Sequence, residues 1–327
     1  MKELARQPLA HLPTPLEAMP RLGAALGGPG LWVKRDDQTG LATGGNKTRK
    51  LEYLVADALE TKADVLLTVG AAQSNHCRQT AAAAARAGLD CVLVLGGEAP
   101  PSKRWTGNLL LDDLLGAQIR WAGDGDPLDA LTHAAQTEQD AGRRPYVIPY
   151  GGSNAIGAAA YALAFQELWE QMVAQKLWFD RVIFASSSGG TQAGLVVGAK
   201  ACGYTGQVLG ISVDKTSGHL GETVAGLLAP TAMRLDLDLE WDRGDIRIDD
   251  RFRGGGYAVL TGAEREAIQL TARYEGLLLD PVYTGKALAG LIGLIRQGEI
   301  APDEKILFWH TGGMPALFAY AMELKAR

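Results

Sequence analysis

Residues 65–95 read VLLTVGAAQSNHCRQTAAAAARAGLDCVLVL, and the fold class follows from that stretch. Val65 to Val69 is a short apolar run with the length and β-branched content of a buried strand, and Cys91 to Leu95 is a second. Between them, Thr80 to Ala87 is alanine-rich and has helical period. Strand, helix and strand in succession make a parallel unit, because a crossover helix is what returns the chain to the same end of a sheet. The pattern recurs where Val182 to Ala185 precedes the helical segment Gln192 to Ala201. An α/β protein built on open, twisted parallel sheets is expected.

Further signals extend this frame in both directions. Leu51, Leu54, Val55, Ala58 and Leu59 fall at i, i+3, i+4, i+7 and i+8, which predicts a helix after Lys47 with Asn46 as its N-cap. Another junction is expected after the run Leu277 to Leu279, where Asp280-Pro281 breaks the chain and Ala287, Leu288, Leu291, Ile292 and Ile295 resume helical spacing. Ile306 to Trp309 reads as a buried strand ending at His310, and Gly312-Gly313 turns the chain into a last helix from about Pro315. Polar clusters thus sit at several strand-to-helix junctions, the edge at which open parallel sheets bind ligands. The length of 327 residues favours two domains sharing a cleft, and no fixed-period repeat or low-complexity linker interrupts them.

A net charge of -5 with scattered Lys and Arg gives no basic footprint, so nucleic acid is not an expected partner. No run approaches the roughly 18 apolar residues of a membrane span, and Met1 to Leu12 holds no long apolar segment. A cytoplasmic location and no membrane partner are expected. Cys77, Cys91 and Cys202 are odd in number and lack CxxC spacing, which predicts reduced thiols and no zinc site.

Ser186-Ser187-Ser188-Gly189-Gly190-Thr191 lies between an apolar run and a helix, so free backbone N–H groups, hydroxyls and a helix dipole converge there. That combination favours a phosphate, although it is neither a Walker loop nor a dinucleotide fingerprint, and a plain connector is the alternative. In Gly44-Gly45-Asn46-Lys47-Thr48-Arg49-Lys50 the glycines let backbone approach a ligand beside Lys47, with Arg49 and Lys50 as a solvated charged pair behind it. An imine-forming lysine must be easily deprotonated, and an electropositive helix start with Arg49 nearby would lower its pKa. A surface lysine at a helix start is the competing reading. In Gln73-Ser74-Asn75-His76, Ser74 or Asn75 would serve as a helix cap, which explains one polar residue of the four. Asp280-Pro281-Val282-Tyr283-Thr284-Gly285-Lys286 and His310-Thr311-Gly312-Gly313 bring an aromatic hydroxyl and two threonines to the sheet edge, while Gly254-Gly255-Gly256-Tyr257 adds a flexible run with a second tyrosine. Turn chemistry and an exposed loop tip are the alternatives there.

Together with Leu12-Pro13-Thr14-Pro15-Leu16 and Val33-Lys34-Arg35-Asp36-Asp37, the segments GGNKTRKLEYL (44–54), QSNH (73–76), DPVYTGK (280–286) and HTGG (310–313), in this order, resemble one family along nearly the whole chain. It is the D-cysteine desulfhydrase and 1-aminocyclopropane-1-carboxylate deaminase family, within the tryptophan-synthase-β-like, fold type II pyridoxal-phosphate enzymes. The resemblance implies pyridoxal 5'-phosphate as cofactor, bound in a cleft between a large domain (1–50 and 162–327) and a small one (51–161), and a homodimer. Lys47 matches the lysine that holds the cofactor as a Schiff base, and Asn75 the asparagine beside its 3-hydroxyl. Ser74, flanked by Gln73 and His76, matches the holder of the substrate carboxylate. Ser187, Ser188, Gly189, Gly190 and Thr191 match the phosphate cup, and Tyr257 and Tyr283 the tyrosines on the substrate side of the ring.

Thr284 and Thr311 stand where the cyclopropane deaminases typically carry Glu and Leu, and both point to the desulfhydrase branch. A hydroxyl near the pyridine nitrogen, in place of a carboxylate, makes a weaker electron sink, which suits prompt loss of a good β-leaving group. The implied reaction is removal of the α-proton by Lys47 or a neighbouring hydroxyl, loss of the β-substituent, and hydrolysis to pyruvate and ammonia, with sulfide released from D-cysteine. The rival readings are an L-cysteate sulfo-lyase, for which Arg78 is the candidate sulfonate cation unless it faces solvent, then a cyclopropane deaminase, then a non-catalytic cofactor-binding protein. An unrelated α/β phosphate binder would leave Lys47, Ser74, Asn75, Tyr283 and Thr284 unexplained.

Overall fold

The computed structural model describes residues 1–325 of the chain. The chain opens with β1 (Leu16–Ala18), α1 (Pro20–Ala25), β2 (Gly30–Arg35) and α2 (Asn46–Glu60). It continues through β3 (Val65–Gly70), α3 (Asn75–Ala87), β4 (Asp90–Leu95), α4 (Gly107–Leu114), β5 (Gln118–Trp121), α5 (Pro127–Asp140) and β6 (Pro145–Val147). After the long α6 (Ala155–Gln175) come β7 (Arg181–Ser186), α7 (Gly190–Ala201), β8 (Gln207–Ser212), α8 (Ser217–Arg234) and β9 (Arg247–Asp249). The last part holds α9 (Gly262–Glu275), α10 (Thr284–Arg296), β10 (Lys305–His310), α11 (Ala316–Ala319) and α12 (Ala321–Lys325).

Two sheets result. One has six strands in the order β1-β2-β10-β7-β8-β9, parallel except for the antiparallel edge pair β1–β2; the other has four parallel strands in the order β5-β4-β3-β6. Central strands such as β3 are buried at every position, as helices covering both faces require, which is why their sequences read as continuous apolar runs. The proposed division at 51 and 161 falls within α2 and α6.

Small residues set the closest helix contact. A Cβ on Gly194 of α7 would lie 2.1 Å from the Ala158 carbonyl of α6, and one on Gly198 would lie 2.6 Å from the Ala162 carbonyl. Among the described residues no helix is long and apolar enough to cross a membrane.

Several local expectations need correction. Asn46 begins α2 and Gly45 is its cap, because φ of 131° at Gly45 lets the backbone turn in without a side-chain cap. Arg49 and Lys50 are buried rather than solvated. Arg49 pairs with Asp36 at 2.9 Å and with Glu167 at 2.8 Å, and Asp36 also accepts from Thr14 Oγ1, Tyr161 OH and Trp309 Nε1. Burial opposes ionisation of Asp36, but Arg49 and Lys34 outweigh it and hold the carboxyl below its usual range. Leu277 to Leu279 forms no strand and enters α10 as irregular chain. The last helix is a single turn, α11, followed by a second short one, α12.

Candidate active site

Strands β3, β7 and β10 end at Gly70, Ser186 and His310, and the turns that follow them converge on one cleft. Its walls include Lys47, Ser74, Asn75, His76, the segment 185–189, Thr191, Tyr283 and Thr311. The β3, β7 and β10 contributors come from strand-to-helix junctions, where each parallel sheet carries its strand ends to one edge, whereas Lys47 and Tyr283 come from helix starts that no strand directly precedes.

Lys47 enters from the first turn of α2, with Nζ 3.2 Å from Asn46 Oδ1. Burial pulls its pKa down to about 8; the Arg78 charge adds to the lowering and Asp280 opposes it. Arg49, tied into its own ion pairs, is not the cation that acts here. Asn46 Nδ2 donates to Thr191 Oγ1 at 3.1 Å, linking the start of α2 to the start of α7.

Across the cleft, Ser74 caps α3 by accepting from the Cys77 N–H at 3.2 Å. A hydroxyl that accepts in this way still has its own proton to donate. The Asn75 Oδ1 accepts from Arg78 Nη1 at 3.1 Å and from Asn108 Nδ2 at 2.9 Å. Thr68 Oγ1 donates to the Ile148 carbonyl at 2.9 Å, so it can only accept from His76 Nε2, 2.8 Å away. That fixes the tautomer: Nε2 carries the proton, and Nδ1 is an acceptor with no partner among the described residues. Burial, with the charges of Lys47 and Lys50, keeps the ring neutral by pushing its pKa well down.

The Ser/Gly segment leads from β7 into α7, with φ of 83° at Gly189. Ser186 Oγ and Ser187 Oγ are buried and find no partner among the described residues. Ser153 Oγ donates to Ser188 Oγ at 2.8 Å and accepts from the Gly190 N–H at 3.2 Å. Behind it Lys50 Nζ reaches the Gly151 carbonyl at 3.1 Å and Ser153 Oγ at 3.4 Å, its pKa driven well down by burial and then by Lys47. Unsatisfied hydroxyls and a helix N-terminus, with the Lys50 amine behind Ser153, suit a doubly charged phosphate. With Lys47 and the Asn75 amide beside them, these groups fit pyridoxal phosphate.

Tyr283 faces the cleft, and its hydroxyl is 2.8 Å from that of Tyr257 behind it. Burial holds both phenols well above their usual range, so they are neutral donors near pH 7. Gln73 and Thr284 turn away. Gln73 Nε2 donates to the Thr106 carbonyl at 3.0 Å while its Oε1 accepts from the Asn108 N–H at 2.9 Å, which commits the amide to the start of α4 instead of a substrate. Thr284 is fully buried against Asp280, whereas Thr311 lies on the cleft wall, so the two threonines are not equivalent.

Some contributors escaped the sequence. Tyr150 lines the cleft and Ser153 ties its two sides together, yet Gly151-Gly152-Ser153-Asn154 follows a strand and opens α6, the same junction signal used elsewhere. Arg78 faces neither solvent nor a sulfonate: it is fully buried and bound to Asn75, Asn108 and the Gly44 carbonyl. Among the described residues, Lys47 is the only charged side chain on the cleft wall.

Known proteins agree with this geometry. The model of the family described as pyridoxal-phosphate dependent enzyme matches residues 8–312. D-cysteine desulfhydrases of Salmonella choleraesuis (strain SC-B67) and Salmonella typhi are each 45% identical over 326 residues, covering 96% of this chain and 96% of theirs. A crystal structure described as an ACC deaminase homologue superposes with a TM-score of 0.90 at 38% identity, covering 98% of this chain and 96% of that one. An L-serine ammonia-lyase from Rhizomucor miehei shares the fold, with a TM-score of 0.70 at 18% identity over 98% of this chain and 99% of its own.

Proposed function

The chain belongs to the pyridoxal-phosphate-dependent enzymes, and on that premise we propose that it is a D-cysteine desulfhydrase, yielding pyruvate, ammonia and sulfide. Bound pyridoxal phosphate supplies the electron sink that stabilises negative charge at the substrate α-carbon. The observation that carries the substrate class is the cleft wall itself: among the described residues it holds one lysine and no second cation, beside hydroxyl and amide donors. A thiol leaving group fits that wall. A sulfonate, with its fixed charge, would need a cation that Arg78 does not offer.

In this reading Lys47 Nζ holds the cofactor and, once displaced by the substrate amine, takes the α-proton. Its lowered pKa of about 8 supports that role, since an appreciable fraction is neutral near physiological pH. The raised phenol pKa values of Tyr283 and Tyr257 argue against a tyrosinate base and for Tyr283 as a donor to the departing sulfur, oriented by Tyr257. Ser74 donates its free proton to the substrate carboxylate, with His76 Nδ1 as a neighbouring acceptor. The 187–191 segment, with Lys50 behind Ser153, would hold the phosphate, Asn75 Nδ2 would donate to the ring hydroxyl, and Thr311 would complete the wall of the site. The same reading carries a cytoplasmic location and a homodimer. Exposed apolar side chains such as Leu114, Phe318 and Met322 support the second, and light scattering in solution checks it.

The deciding experiment is pyruvate release by the cofactor-loaded protein from D-cysteine, L-cysteine and L-cysteate, with the ketone product assayed for 1-aminocyclopropane-1-carboxylate. D-cysteine is expected to dominate. Dominance of L-cysteate would overturn the substrate reading and require a sulfonate-binding group elsewhere in the cleft.

A further inference from the structure

Arg78 is a fully buried guanidinium with no carboxylate in ion-pairing contact among the described residues, the Asp112 and Asp280 charges acting on it only from a distance. Its bonds all go to uncharged oxygens: Nη1 to Asn75 Oδ1 at 3.1 Å and Asn108 Oδ1 at 2.8 Å, and Nη2 to the Gly44 carbonyl at 2.8 Å. Asn108, also fully buried, closes the triangle through Nδ2, which donates to Asn75 Oδ1 at 2.9 Å and to the Gln73 carbonyl at 2.8 Å. Burying an arginine with no carboxylate partner is costly, so a chain that keeps one there needs a return for it.

The geometry points to that return. An asparagine amide is nearly symmetric in shape, and its oxygen and nitrogen exchange places by a half turn of the terminal torsion. Two donors converging on Oδ1, one of them charged, make the reverse orientation untenable, because it would set Nδ2 against Nη1 and the Asn108 amide. We propose that Arg78, with Asn108, is a positioning residue that locks the Asn75 carboxamide with Nδ2 toward the cleft, so that this edge of the site offers a donor and never an acceptor. The Gly44 bond extends the same lock to the glycines preceding Lys47, so both residues that meet the cofactor ring are referenced to one guanidinium. The Arg78 charge also acts on Lys47, whose pKa it helps to lower beside the larger effect of burial.

This inference rests on the assignment of the cleft as a pyridoxal-phosphate site, and the test separates the two. Wild-type protein is first reduced with borohydride in the presence of cofactor; a label absent from Lys47 would sink the assignment itself. Cofactor dissociation constants are then measured, by the visible absorbance of the bound form, for Arg78→Gln, Asn75→Ala and the double variant. Arg78→Gln is expected to weaken binding about tenfold or more, the scale of a charge-assisted hydrogen bond, and to move the pH midpoint of the visible band upward. In the Asn75→Ala background the same change should cost several-fold less, since only the Asn108 and Gly44 contacts of Arg78 would remain to be lost. Equal losses in both backgrounds, or an unshifted pH midpoint, would overturn the proposal. If Arg78→Gln does not fold, Asn108→Ala removes the other donor to the same oxygen and is read by the same cycle.

Discussion

The Thr284 hydroxyl and the Asp280 carboxylate hold each other at the start of α10: Thr284 Oγ1 donates to Oδ1 at 2.7 Å and accepts from the Asp280 N–H at 2.7 Å. The Thr284 N–H also donates to Oδ1 at 2.7 Å, while Oδ2 takes the N–H groups of Val282 and Tyr283 at 3.1 and 3.0 Å. Asp280 therefore caps the helix that presents Tyr283, and Thr284 secures the cap. Thr284→Val should lose about 1–3 kcal/mol of stability through the orphaned Asp280 N–H and the loss of one of the four donors to the carboxylate, whereas Thr284→Ser keeps both bonds. Thr284→Glu should be worse than either, because it drives a second carboxylate against the first. Thermal denaturation of the three variants checks the order; a valine variant as stable as wild type would show that the cap does not depend on the hydroxyl.

A lowered Lys47 pKa makes cofactor uptake by the apoprotein a titration. The nucleophile is the neutral amine, so the rate of attachment should rise with pH through a midpoint near 8, well below the 10.5 of an ordinary lysine. Lys47→Arg, which cannot deprotonate, should form no borohydride-reducible bond while retaining the far-ultraviolet spectrum of the fold. A wild-type midpoint above about 10 would mean that burial and Arg78 do not act on Lys47 as the geometry indicates.

The parts of the site written locally were legible in the sequence. Ser187 to Thr191 are read at a strand-to-helix junction because a parallel sheet converts that local pattern into a shared edge, Lys47 is read at a helix start beside two glycines, and Ser74 is readable as a cap because capping spans only a few residues. What escaped was decided by partners far along the chain. Arg49 looks like a surface charge until Asp36 and Glu167 arrive beside it, and Arg78 looks helical and solvated until Asn108 and Gly44 enclose it. The same holds for Gln73 and Thr284. Both lie in the correct motif, yet their side chains were claimed by Thr106, Asn108 and Asp280 rather than by the cleft.

Asp112 of α4 is buried with both carboxylate oxygens unpartnered among the described residues, and burial, against the pull of Arg78, raises its pKa to about 8. The folded protein holds this proton more tightly than the unfolded chain, whose value is near 3.8. Stability from this group is thus complete below the unfolded value and declines as the pH climbs toward the folded one. Asp112→Asn, which mimics the protonated form, should flatten that decline and raise the melting temperature at pH 7.5 by about 2–4 °C. Melting curves from pH 5 to 9 on both proteins decide it, and parallel curves would show that Asp112 ionises normally.

Gly190 separates close approach from helix propensity. A Cβ there would sit 2.6 Å from Ser153 Oγ and 2.9 Å from Ser153 Cα, so Gly190→Ala must push away the segment that brings Lys50 behind the phosphate loop. The displaced Ser153 would also lose its bonds with the Gly190 N–H and with Ser188. Gly226, exposed within α8, has nothing within 4 Å of the same added carbon, so Gly226→Ala should stabilise the protein by about 0.5–1 kcal/mol through helix propensity alone. Gly190→Ala is expected instead to weaken cofactor binding about tenfold or more, with a parallel loss of competition by inorganic phosphate. The phosphate arm gives the comparison its force: phosphate lacks the ring and the aldehyde, so a shared loss locates the damage at the loop, and a loss confined to the cofactor would shift it to the Lys47 side of the cleft.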